Sequence, residues 1–190
     1  MRVLIACEFS GIVWEAFAKL GHDAYSCDLL PTEIPGNHIQ DDVLKHLEEG
    51  WDLMIAHPPC THLAVSGARW FKDKQVEQRE AIDFFYALVA APIHRIALEN
   101  PVGIISTYWR PPDQIIQPWM FGEDASKKTC LWLKNLPLLH PTNQIIKDQY
   151  ANQTKSGQNN LAPSPNGWKE RSRTYQGIAD AMAEQWGHNG

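Results

Sequence analysis

The chain has 190 residues, a formal net charge of −5 and 44% hydrophobic residues, the profile of one ordinary soluble domain large enough to bury a core. No run approaches the ~18 apolar residues of a membrane span, and "MRVLIACEFSG" reads better as a first strand than as a short signal peptide, because Glu8 cuts its apolar stretch short. The four cysteines, at 7, 27, 60 and 130, are too widely spaced for a disulfide framework or a zinc ribbon, and fit a reducing cytoplasm.

In chain order, "RVLIAC" (2–7) is a short apolar run bounded by "EFSG", the pattern of a buried strand. In "GIVWEAFAKLG" (11–21), Ile12, Val13, Ala16, Phe17 and Leu20 recur at helical spacing, and Gly21 is the expected cap. "DAYSCDLLP" (23–31) reads as a second strand closed by Pro31. "TEIPGNHIQ" is loop with room for a brief third strand. "DDVLKHLEEG" (41–50) reads as a helix ended by Gly50, and "WDLMIA" (51–56) as a strand stopped by Pro58 and Pro59. A long amphipathic helix (74–92) and a strand, "IHRIALEN" (93–100), follow. Strands alternating with helices predict an α/β domain with a mostly parallel sheet and helices on both faces. Beyond Pro101 the pattern weakens to one strand (129–134), a polar Pro/Gly/Asn-rich loop (152–167) and a terminal helix (173–187) expected to pack back on the sheet.

Charge is unevenly spread. Residues 1–126 carry a net −9, residues 127–173 a net +6 and residues 174–190 a net −2. A basic stretch inside an acidic chain is as compatible with a solvated face as with contact to phosphates.

Ligands of open α/β sheets bind beyond the carboxyl ends of the strands, and the chemically informative residues collect there. "EFSG" is a tight turn ahead of a helix. It lacks the G-x-G-x-x-G pattern, which argues against a dinucleotide. Asp28, at the end of the second strand, is placed either to hold ribose hydroxyls or as a turn acid before Pro31. An adenosine-bearing cofactor without a pyrophosphate, S-adenosylmethionine, fits both features. Cys60 follows a rigid Pro-Pro turn that exposes its thiol, and a thiolate is a nucleophile. Cys7, Cys27 and Cys130 read as inert and buried. His57, Cys60 and His62 supply zinc-ligand atoms, but no second cluster completes four ligands, so no metal is expected. Leu63 stands where a zinc deaminase needs its second cysteine. In "LENP", Glu99 is either a capping acid or a carboxylate that shares a proton with a heteroaromatic ring nitrogen and makes a ring carbon electrophilic.

With "ACEFSGIVWEAF", "CDLLP", "QDDV", "HPPCTHLAVSG" and "LENPVG" in that order, the chain resembles the cytosine-C5 DNA methyltransferases, most closely the short phage and prophage members. The likeness spans roughly residues 2–140 and, more weakly, the terminal helix. It implies the Rossmann-like fold of class I S-adenosylmethionine-dependent methyltransferases and a single catalytic domain over 1–190. It also implies methyl transfer to C5 of cytosine through a covalent bond from Cys60 to C6, giving 5-methylcytosine, with Glu99 on N3 and the exocyclic amine. By the same resemblance Phe9, Ser10, Gly11, Asp28, Leu29, Asp42, Val43 and Pro58 would contact the cofactor. Pro59, Asn100, Lys128, Arg171 and Arg173 would contact the substrate. The partner would be DNA, double- or single-stranded, with the base flipped out of any duplex.

Three departures stand out. "SKKTCLW" replaces the family's Gln-x-Arg-x-Arg stretch, so Lys127 or Lys128 stands in for an arginine without its bidentate fork. Gly177-Ile178 replaces a Gly-Asn pair that normally meets the cofactor. Only the basic loop segment 136–170 is available in place of a large target-recognition domain, although Lys134, Lys147, Lys155 and Lys169 could track phosphates and Trp168 could stack on a base. The short segment points to degenerate sequence recognition, to help from a partner subunit such as a second copy in a homodimer, or to a smaller substrate. The same Cys-mediated chemistry on RNA or a free nucleotide, or with a modified cofactor, therefore stands beside DNA methylation, and a non-catalytic binding protein is the reading from another class. Cys60 after the prolines excludes the amino-methyltransferase turn, which ends in an aromatic residue.

Overall fold

A computed structural model describes residues 1–64, 73–157, 159 and 167–188. Trp70, the 65–67 end of the Cys60 loop and part of segment 136–170 lie outside the described residues.

Among the described residues, seven strands form one sheet in the order β3-β2-β1-β4-β5-β7-β6. They are β1 (Arg2–Ala6), β2 (Asp23–Asp28), β3 (His38–Gln40), β4 (Leu53–Ala56), β5 (Arg95–Pro101), β6 (Gln114–Ile116) and β7 (Thr129–Lys134). β1 to β5 pair in parallel, and β7 runs antiparallel to both β5 and β6. The order reverses between β1 and β4, which opens a crevice at their carboxyl ends, the usual ligand site of such sheets.

Alternation along the strands divides the core. Val3 and Ile5 of β1 and Leu53 and Ile55 of β4 face α1 (Ile12–Lys19) and α5 (Gln176–Trp186). Leu4, Ala6, Met54 and Ala56 face the other way, toward Ile82, Phe85 and Leu88 of α2 (Gln75–Val89). Central strands buried on both faces explain why their sequences are continuously apolar. α5 packs against α1 and the sheet, as its apolar spacing predicts. Among the described residues no helix is long and apolar enough to cross a membrane.

The structure corrects several expected elements. Residues 41–50 form no α-helix, only a 3₁₀ turn at Val43–Lys45. Here side chains and local ion pairs take the place of a helical ladder: Asp42 accepts from the Leu44 amide, Lys45 pairs with Asp41, and His46 lies between Asp41 and Glu49. The second strand stops at Asp28, where the carboxylate accepts from the Leu30 amide and turns the chain. Past Pro101 there is more structure than the pattern predicts: β6, the short helices α3 (Ile105–Tyr108) and α4 (Gly167–Ser172), and a 3₁₀ turn at Pro118–Met120. The basic segment is fastened to the sheet side. Tyr150 stacks on Trp119 at 6.1 Å between ring centroids, Lys147 pairs with Asp124, and Asn152 exchanges hydrogen bonds with the Ser126 backbone.

Candidate active site

The turn between β1 and α1 is built around a buried carboxylate. Gly11 takes a left-handed φ of 74° at the N-cap of α1 and contributes no capping side chain. Glu8 supplies it instead: its Oε1 accepts from the Val13 amide at 2.7 Å and from Ser10 Oγ at 3.1 Å, and its Oε2 accepts from the Trp14 amide. Negative charge at a helix N-terminus satisfies its free amides. Burial raises the Glu8 carboxyl, and the charge of His57 and these hydrogen bonds oppose that rise. Ser10 is therefore buried, with its hydroxyl turned inward to Glu8. Phe9 is buried, with Trp168 of α4 on it at 6.0 Å and the Lys169 ammonium 5.8 Å from its ring centre.

Across the reversal point, β4 ends at Ala56 and leads into His57-Pro58-Pro59-Cys60. Cys60 is the exposed cysteine of the four; Cys27 and Cys130 are buried and Cys7 is half-buried. Burial pushes the Cys27 thiol up to about 12 and the Cys130 thiol up to about 11, in keeping with inert packing cysteines. The carbonyl of Cys60 accepts from the amides of Leu63 and Ala64. Ala64 bridges to Gly103, and the Ile104 amide donates to the Leu63 carbonyl. A Cβ on Gly103 would lie 2.2 Å from that carbonyl, so the close approach of the two loops requires glycine.

On β5, Ala56 pairs with Leu98, so the next residues, His57 and Glu99, lie alongside each other. His57 Nδ1 donates to Glu99 Oε2 at 3.2 Å. The buried Asn100 donates from Nδ2 to the Pro58 carbonyl at 2.8 Å, which ties the proline turn to β5. Burial alone would raise the Glu99 carboxyl. The hydrogen bond from His57, the charges of Lys127 and His57 and the Thr129 hydroxyl outweigh burial and hold it below the usual carboxylate range. The Cys60 thiol moves the other way: although the residue has an open face, loss of surrounding water raises it, the Glu99 charge raises it further, and Lys127 and Arg171 only partly offset this. The resting pair is thus a thiol beside a carboxylate, rather than the preformed thiolate that an electropositive setting would give.

Lys127 is the cation at this pair. It is felt at both Cys60 and Glu99, and its Nζ donates to the Arg171 carbonyl at 2.9 Å. Lys128, the expected substrate contact, is exposed and is not the lysine that reaches the pair. The charge of Arg171 reaches Cys60. Arg173 pairs with Glu33 at 2.7 Å, beside the β1 turn, because the Glu33 amide donates to the Phe9 carbonyl. Pro59 is exposed at the mouth and Pro58 is buried.

Of the expected cofactor contacts, Asp28 engages Oδ1 with the Leu30 amide, and burial raises its carboxyl. Leu29 beside it is exposed. Asp42 uses Oδ1 as a cap, and Val43 is buried in the core. Ile178 is buried and offers no polar group where the resemblance implies an asparagine. Glu8 and His57 are the site residues that sequence reasoning passed over as participants. The acid next to the glycine turn was a signal for the first; nothing in the sequence distinguishes the second from a loop histidine.

No family model and no curated protein matches the chain. Among solved structures it is similar to an E. coli prophage-encoded protein assigned as a DNA modification methyltransferase, with a TM-score of 0.51 and 14% identity over 76% of this chain and 52% of that one. The fold is that of the class I methyltransferases. A looser likeness, TM-score 0.41 and 12% identity over 79% of this chain and 56% of that one, is to a mutant of Spodoptera frugiperda DNMT2. The chain spans about half the length of either protein. On the methyltransferase-type sheet, the crevice between β1 and β4 holds the Glu8 turn on one side and Cys60 with Glu99 on the other.

Proposed function

We propose that the chain transfers a methyl group from S-adenosylmethionine to C5 of cytosine in DNA, with Cys60 as nucleophile. The observation that carries this reading is the juxtaposition of an accessible thiol and a carboxylate at the ends of adjoining parallel strands, beside the reversal point of a class I methyltransferase sheet. The residues at the neighbouring strand ends suit the cofactor. Asp28 is held at the end of β2 by the Leu30 amide, where its carboxylate would meet ribose hydroxyls, and Leu29 and the glycine turn offer apolar and backbone surface. Bound there, S-adenosylmethionine supplies an electrophilic methyl group.

The protein's part is proton placement. Sγ of Cys60 must lose its proton before it can bond to C6, and N3 of the ring must gain one as the C5–C6 electron pair shifts toward C5. Glu99, held as a carboxylate, takes up the proton that Cys60 releases and presents it to N3. Its charge then no longer opposes thiolate formation, so arrival of the base and activation of Cys60 are coupled. Once C5 carries the methyl group, its proton passes to water, the C5–C6 double bond re-forms, Cys60 leaves as a thiolate, and N3 gives its proton back to Glu99. Lys127, Arg171 and Lys169 at the mouth would meet phosphates. A base within a duplex has to leave the stack to reach Cys60.

Trapping tests this reading. The protein and Cys60→Ala are incubated with labelled S-adenosylmethionine and DNA containing 5-fluorocytosine, whose C5 fluorine blocks the final elimination. A labelled covalent adduct with the wild type and none with Cys60→Ala is the expected result. Cofactor binding without an adduct on single- or double-stranded DNA overturns the DNA assignment, and adducts with RNA or a nucleotide would replace it.

A further inference from the structure

His57 is more than a loop histidine. Its side chain is only 7% exposed, it stands in register beside Glu99, and its backbone amide donates to the Ala6 carbonyl at the end of β1. It therefore sits on the seam between the two halves of the crevice. A carboxylate can only accept, so the proton in the 3.2 Å contact with Glu99 belongs to Nδ1. Nε2, on the far side of the ring, is buried with no hydrogen-bond partner among the described residues. A buried polar atom left unpaired is costly, which a residue serving only to pack would not incur. Four groups surround the ring and its partner: Glu8 from the β1 turn, Glu99 from β5, and Lys127 with Thr129 from the β7 side.

We propose that His57 is the positioning residue of Glu99. Resting on the functional reading above, Nδ1–H pins Oε2 of Glu99 and so sets the orientation of the carboxylate that meets the base. Without that bond Glu99 remains present but loses the orientation that lets it deliver a proton to N3. Groups that orient a functional side chain in this way affect function by about 10–100-fold in related settings.

Two measurements test the assignment. Long-range proton–nitrogen NMR on the wild-type protein, with the His57 signals identified from their loss in His57→Asn, is expected to show a proton on Nδ1. An Nε2–H tautomer overturns the proposal, and this readout does not depend on finding a substrate. In turnover, His57→Ala is expected to lower kcat by about 10–100-fold with cofactor affinity unchanged. His57→Asn, which keeps an N–H directed at Glu99, should recover most of the loss. In a Glu99→Gln background the same His57→Ala change should cost nothing further, whereas a purely structural histidine would cost as much there as in the wild type. Equal loss in both backgrounds, or no loss in either, overturns the proposal. Failure of the wild-type protein to methylate any substrate overturns the functional reading and leaves the tautomer to decide this one.

Discussion

Cys60 and Glu99 set each other's charge. With the thiol raised by burial and by Glu99, at any pH below its own value less of it is thiolate than of a free cysteine. Alkylation of Cys60 by iodoacetamide should therefore be slow near neutrality and keep accelerating beyond the pH at which an ordinary thiol levels off. Glu99→Gln removes a charge that raises the thiol, so alkylation should speed up while methyl transfer collapses. Slower alkylation in that variant would contradict the electrostatic account. Lys127→Met removes a charge that lowers the thiol and should slow alkylation at fixed pH. The matching Lys128→Met change should leave it unaltered, and equal effects from the two lysines would refute the placement of Lys127. Asn100→Ala leaves the Pro58 carbonyl without its donor and should cost about 1–3 kcal/mol in chemical denaturation. At this scale the placement of Cys60, Glu99 and Asp28 at strand ends was legible, because turn residues mark those ends. The choice between Lys127 and Lys128 was not, since it depends on which way each side chain leaves the start of β7. His57 was not legible because its role exists only once β4 and β5 are in register.

Elements differ in how far local sequence decides them. The strands and α1, α2 and α5 follow from apolar runs and helical spacing, since each buries a full face. Residues 41–50 carry helix-compatible residues, yet Asp41 and Asp42 bind nearby backbone and side-chain groups and leave only a 3₁₀ turn. β6 and α3 are too short to show a period, and their positions are set by β7 and by the Cys60 loop. The contact between that loop and Gly103 permits a direct check. Gly103→Ala drives a Cβ into the Leu63 carbonyl, and because both partners are backbone the loops must separate. Hydrogen exchange at the Ile104 amide, which donates to Leu63, should quicken markedly, while exchange in α5 should not change. Protection at Ile104 equal to that of the wild type would show that the loops do not need this approach.

At the scale of the whole molecule, an acidic sheet domain carries its positive charge on one late stretch, and α4 brings Trp168, Lys169 and Arg171 from it to the mouth of the crevice. If Lys169 meets one phosphate, Lys169→Ala should reduce the slope of log affinity against log salt by about 0.9 for duplex or about 0.7 for single-stranded DNA. An unchanged slope would remove Lys169 from the interface. The parallel sheet, its helices on both faces and the location of the crevice were all legible from the order of strand-end motifs. How a short basic segment is fastened was not, because Trp119, Tyr150, Asp124 and Lys147 meet only through the finished fold.

α4 rests on Phe9 at one end of the crevice and on Lys127 at the other. A helix that touches both cannot shift for one visitor without altering the reception of the second. The two ligands should therefore share a linkage free energy: whatever factor an oligonucleotide imposes on the affinity for S-adenosylmethionine, the cofactor must impose on the oligonucleotide. Trp168→Ala loosens one end of the bridge and should bring that factor toward one in paired calorimetric titrations, making two dependent equilibria independent.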